Sequence, residues 1–178
     1  MSTAYGVNTT IINTDDGTKT EGGSVGGTVR CFMDTIAAGT ADMGAADIIH
    51  MADLPSNAKI LSIKLFNDDL DSATTITADV GLYNGGTKFT TSAGTAYAVG
   101  AVIDDDCYAT AITDFRGAVT TGTEVAFEAR NISAINNFLW EDAGLPEDPK
   151  RPLRLCLTTD AAGNQAGDIS IIVQYMVS

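Results

Sequence analysis

Histidine is nearly absent: His50 is the single one in 178 residues. That excludes the multi-histidine zinc patterns and leaves one candidate general base. Cysteine is scarce and odd in number, and Cys31, Cys107 and Cys156 form no C-x-x-C pair. Basic residues are few, 10 against 23 acidic ones, for a net charge of −13. Such a surface repels phosphate backbones, which argues against direct nucleic-acid binding. No stretch approaches the ~18 apolar residues of a membrane span. The first residues, Met1 to Gly6, lack the basic and apolar regions of a signal peptide. The expectation is a chain that folds in a reducing cytoplasm with free, mostly buried thiols, where the sequons at Asn8 and Asn131 stay unused. One Trp and five Tyr leave little aromatic surface to grip a sugar. There is no G-x-S-x-G elbow, Walker loop or H-E-x-x-H. Neither a catalytic residue nor a cofactor is expected.

What is present favours strands. Charged residues make up 19% of the chain, Thr is abundant and Gly numbers 18. That mixture suits short strands and many turns better than helices. The length fits one domain with a proper core.

Residues 1–27 read as an extended N-terminal arm, where Gly17, Gly22, Gly23, Gly26 and Gly27 interrupt a polar run too poor in apolar surface to fold alone. Tyr5, Val7, Ile11 and Ile12 stand out there as apolar anchors for a neighbouring molecule. The folded domain then occupies 28–178. Strands are expected at 29–34 and 47–51, ended by Pro55. In 59–66, Leu61, Ile63 and Leu65 alternate with Ser62 and Lys64. In 74–83, Ile76, Ala78, Val80 and Leu82 share a face, and Asn84-Gly85-Gly86 supplies a turn. Residues 97–103 fit a strand or a short helix, closed by Asp104-Asp105-Asp106. Residues 124–129 read as a strand. A helix over 133–143 is expected, with Ser133 as N-cap, Ile135, Phe138, Leu139 and Trp140 as its packing stripe and Gly144 at its C-cap. Alternation over 153–158 and 168–177 predicts two strands joined as an antiparallel hairpin. Seven or eight strands and one helix define an all-β chain, an antiparallel β-sandwich.

Four features could carry chemistry. His50 lies in an apolar run with no nucleophile motif pointing to it, so it reads as a strand residue. Asp68, Asp69 and Asp71 share one expected turn and Asp104 to Asp106 another. Either could offer oxygens to a hard cation, but neither has the spaced D-x-D-x-D-G pattern. The glycines at 22, 23, 26 and 27 neither follow a strand nor open a helix, so they form a joint and not a phosphate cradle. A carboxylate pair for glycoside hydrolysis is available in any acidic chain.

Short motifs add a resemblance. Tyr5-Gly6-Val7-Asn8, Gly26-Gly27-Thr28-Val29-Arg30 and Asp34-Thr35 resemble segments of small structural proteins from tailed-phage head modules. So do Leu54-Pro55-Ser56-Asn57-Ala58-Lys59-Ile60, Asn67-Asp68-Asp69-Leu70, Val80-Gly81-Leu82-Tyr83 and Leu139-Trp140-Glu141. The resemblance implies a jelly-roll-like sandwich that decorates or cements the capsid surface, often as a homotrimer. Its partners would be the major capsid protein and its own copies, with no nucleic acid, no membrane and no cofactor. Other virion parts of the same fold (a head-fibre base, a tail or connector component) and a carbohydrate-binding jelly roll are the competing readings.

Overall fold

Alternating sequence becomes two stacked sheets. A computed structural model describes residues 27–73 and 75–177, so the anchors Tyr5, Val7, Ile11 and Ile12 lie outside the described residues. The strands are β1 (Val29–Ala38), β2 (Ile48–Pro55), β3 (Ala58–Asn67), β4 (Thr77–Asn84), β5 (Phe89–Thr90), β6 (Ala96–Tyr97), β7 (Val102–Ile112), β8 (Val119–Glu124), β9 (Pro152–Ala161) and β10 (Gly167–Val177). One α-helix, α1 (Leu139–Asp142), and three short 3-10 turns complete the set among the described residues.

The first sheet has the order β1-β10-β3-β8 and the second β2-β9-β4-β7, while β5 and β6 form a small separate ribbon. All pairings are antiparallel. Among the eight long strands, the first pairs with the last, the second with the next to last, and so inward to β4 with β7. This nested pairing is the jelly roll. The core lies between the sheets, where Ile63, Leu65, Leu82, Leu155, Ile169 and Val173 are essentially sealed from solvent.

The fold class is as expected: Ala78, Val80 and Leu82 share the buried face of β4, and Ile76, just before it, is buried as well. Several local expectations are corrected. The β9–β10 hairpin does not form: β9 sits between β2 and β4, and β10 between β1 and β3, in opposite sheets. Both are central strands whose edges are filled by distant partners. Their connection is tied to far loops instead of turning tightly, with Gly163 N–H donating to Met43 O at 2.8 Å and Asn164 N–H to Leu70 O at 3.1 Å.

Leu61 does not share a face with Ile63. The β3–β10 register shifts there, Gln174 facing Ser62 and Tyr175 facing Ile60. Leu61 is the extra residue, and Ile60 takes the buried position. Residues 124–129 are not a strand beyond Glu124. The Glu124 carboxylate accepts from Ile63 N–H at 2.8 Å and Ala126 N–H at 3.1 Å, which turns the chain inward and buries Val125 and Ala126. The strand is the preceding Val119–Glu124, whose Val-Thr-Thr-Gly-Thr-Glu run has no apolar period to reveal it.

The helix expected over 133–143 is broken in two. A 3-10 turn covers Ile132–Asn136, capped by Asn131, not Ser133, through a 2.9 Å bond from Ser133 N–H to Asn131 Oδ1. Extended backbone at Asn137 and Phe138 interrupts before α1. Ile135 is 54% exposed and Leu139 alone of the stripe is fully buried. Gly144 follows α1 with φ +66°, the left-handed conformation that closes a helix end. Residues 97–103 divide between the end of β6 and the start of β7, and Asp104 to Asp106 lie inside β7 and not in a turn.

Candidate interaction surfaces

His50 and Cys156 form a pair the sequence could not show, since 106 positions separate them. They face each other across β2 and β9, with Nδ1 to Sγ at 3.3 Å. A Cys–His pair is the start of a thiol nucleophile, but the electrostatics run the wrong way. Burial pushes the Cys156 thiol up to about 12, and burial together with Arg154 lowers His50. A reactive cysteine needs a depressed pKa. The pair is a cross-strand contact, beside the bidentate Arg154–Asp53 ion pair at 2.6 and 2.8 Å.

The Asp68, Asp69 and Asp71 carboxylates are taken up by backbone amides of their own loop and of β10. Asp68 Oδ2 accepts from Asp168 N–H at 2.9 Å and Asp69 Oδ1 from Asp71 N–H at 3.1 Å. Asp71 is buried and accepts from Ile76 N–H at 2.7 Å, Ala73 N–H at 3.0 Å, and the Thr75 amide and hydroxyl. These bonds, that from Ile76 foremost, hold its pKa below the ordinary value.

Asp104, Asp105 and Asp106 come together on a bulge. Leu82 faces Asp104 and Val80 faces Ala109, so β7 spends five residues where β4 spends two. The bulge crosses over Gly81, where an added Cβ would lie 2.2 Å from the Asp105 carbonyl carbon. Only glycine admits that approach. The three carboxylates lie within 4.8 Å of one another, the one such grouping among the described residues. Asp79 lies close by. Burial first, then the Asp160 and Asp106 carboxylates, push it up to about 6. Asp104 is raised as well, by burial and by Asp106. The outer side of the second sheet is thus an acidic face.

Under α1 lies a sealed polar cluster. Arg130 meets Asp142 at 2.9 Å with both side chains about 2% exposed, and Tyr108 Oη donates to Asp142 Oδ2 at 2.9 Å. Arg130 also donates to Ala134 O at 2.6 Å and lies 4.9 Å from the Phe127 ring centre. Burial pushes Asp142 up to about 6 against the pull of Arg130. Its atoms are enclosed, so it fixes the loop and does not meet a partner.

The first sheet differs in character. On its outer side, Val29 is 54% and Met33 68% exposed, facing Met176 and Ile172 of β10. Cys31 is exposed between them, contrary to the expectation of mostly buried thiols. Between β1 and β2 the sandwich stands open in two adjoining cavities. One of about 420 Å³ is lined by Phe32, Met51 and His50 among others, and one of about 340 Å³ by Ile36, Ala38, Ile48 and Ile49. A larger cleft of about 570 Å³ beside Pro55, Asn57 and Lys150 has no aromatic lining. No described helix is long and apolar enough to cross a membrane.

Fold and surfaces together define a jelly-roll protein that presents an acidic face, exposed apolar side chains at Val29 and Met33, and an open edge. No family model matches the sequence, and no curated protein matches it significantly. Two solved structures share the fold. A chain from the capsid of Ralstonia phage GP4 superimposes with TM-score 0.57 at 20% identity, over 85% of this chain and 86% of that one. A chain from the cyanophage Pam1 capsid asymmetric unit does so with TM-score 0.52 at 16% identity, over 92% and 95%.

Proposed function

We propose that this chain is a structural protein of a phage virion, bound to the outer capsid surface as a decoration or cement protein. The supporting observation is a jelly roll shared over 85% and 92% of the chain with chains of two phage capsids. In this reading its partners are the major capsid protein and its own copies, as a homotrimer assembled in the host cytoplasm. The acidic face suits the outside of a shell better than the side facing packaged DNA. In this reading the arm binds a neighbouring molecule through Tyr5, Val7, Ile11 and Ile12 and so couples binding to assembly. The protein is not an enzyme in this reading, in keeping with a His50–Cys156 pair tuned away from nucleophilic chemistry.

The test is co-sedimentation of the purified protein with capsids that lack it. Saturable binding and a higher rupture temperature of the shell are expected. Deletion of residues 1–27 should weaken binding about tenfold or more, the share of an ordering segment. Absence of the full-length chain from the capsid pellet would refute the assignment.

A further inference from the structure

Among the described residues, four strands form the edges of the two large sheets, and three are blunted. β2 carries a bulge after His50 and ends at Pro55. β7 is bulged and loaded with Asp104, Asp105 and Asp106. β8 has six residues and a register break. These are the devices by which natural sheets avoid pairing with other chains. β1 is the least protected: it carries the charged Arg30 and Asp34 but is neither short nor bulged. It runs ten residues against β10 in unbroken register from Val29–Met176 to Ala38–Gly167, without proline, lysine or bulge. No strand among the described residues pairs with its other edge. Met33 and Val29 are exposed on one side of it, and the cavities lined by Phe32, Ile36 and Ile48 open on the other. A long, regular edge is a template for strand addition, here beside a mouth that is apolar at Ile36, Ala38, Ile48 and Ile49 and charged towards Asp34, Asp53 and Arg154.

The sequence holds a segment of matching pattern. In Tyr5-Gly6-Val7-Asn8-Thr9-Thr10-Ile11-Ile12, Tyr5, Val7, Thr9 and Ile11 fall on one side of a period-two repeat, and Gly6, Asn8, Thr10 and Ile12 on the other. We propose that the open edge of β1 is the receptor for segment 5–12 of a second copy of this chain, added as a strand with Tyr5, Val7 and Ile11 over the mouth between β1 and β2. The intervening residues decide the source. Residues 13–28 span up to about 50 Å extended, against about 40 Å for the width of a domain of this size. Folding back onto its own β1 would instead need a structureless loop of about 16 residues, beyond the usual range in compact domains. The inference rests on the arm being a partner-binding element, and it names what the arm binds.

Cys31 provides the test, because it is exposed on β1 and the other two thiols are not. Single cysteines are introduced by V7C, N8C, T9C and T10C into the full-length chain, which is then oxidised and run on non-reducing gels. The expected result is a disulfide-linked multimer, strongest for N8C or T10C, whose side shares the outer face with Cys31. It should be lost when C31S is added, with the bond located by peptide mass. A link within one chain, a Cys31–Cys31 dimer of the unaltered protein, or no Cys31 link from any of the four positions would each overturn the proposal. Capsid co-sedimentation separates the two readings. Linked multimers that do not bind capsids leave this pairing standing and sink the virion role. Capsid binding without any link does the reverse.

Discussion

At the scale of single residues, the tightest constraint is at Gly81. Its hydrogen faces the backbone of the β7 bulge, so G81A has no flexible neighbour to displace. The expected cost is about 2–4 kcal/mol by denaturant unfolding, at the upper range of overpacking effects. Arg130 makes a different point. With Asp142 sealed beside it, R130A leaves a carboxylate unpaired in a dry site, an expected loss of about 3–5 kcal/mol. Replacing both partners, R130M with D142L, should recover much of it, and a double-mutant cycle measures the coupling. Neither residue was legible in the sequence. Val80-Gly81-Leu82 reads as a strand with a gap on its outer side, and nothing local reveals that another strand fills the gap. Arg130 and Asp142 are ordinary surface letters until the loop between them folds back.

At the scale of elements, what the sequence revealed were the strands buried on one face: β4, β9 and β10 announce themselves because alternation is what one-sided burial requires. What it concealed were strands and turns held by side-chain-to-backbone bonds. β8 owes its turn to one Glu124 carboxylate, and the expected helix was split at Asn137 and Phe138, which no propensity marks. Pairing was hidden for another reason: adjacent runs such as β9 and β10 belong to opposite sheets, and order along the chain carries no record of that. The arrangement predicts a gradient of protection. Amides of β10, flanked by β1 and β3, should exchange slowest, while β1 amides on the open edge exchange faster in the free protein. I171A, in the buried face of β10, should cost about 2–5 kcal/mol.

For the whole molecule, charge sets the response to pH. Asp79 and Asp142 titrate near 6 in the folded chain and Asp104 is raised too, against ordinary values of 3.8. Folded pKa values above the unfolded ones mean a contribution that is full below about 3.8 and lost as pH rises through about 6. Asp71 acts in the opposite direction, its contribution disappearing only on acidification below its ordinary value. The melting temperature should therefore rise as pH falls from 7 to about 5 and drop again in stronger acid. Added salt at pH 7 should raise it also, by screening the self-repulsion of a chain with net charge −13. A flat thermal profile between pH 5 and 7 would contradict the burial of these carboxylates.

The nested pairing has a consequence for synthesis. Because β1 lies against β10 and β2 against β9, neither sheet can close before the ribosome has made β9 and β10. The early strands must wait, with their apolar faces uncovered, for partners far along the chain. Maturation of the nascent chain should accordingly be slow, and chaperone occupancy should fall only once β10 is available to pair.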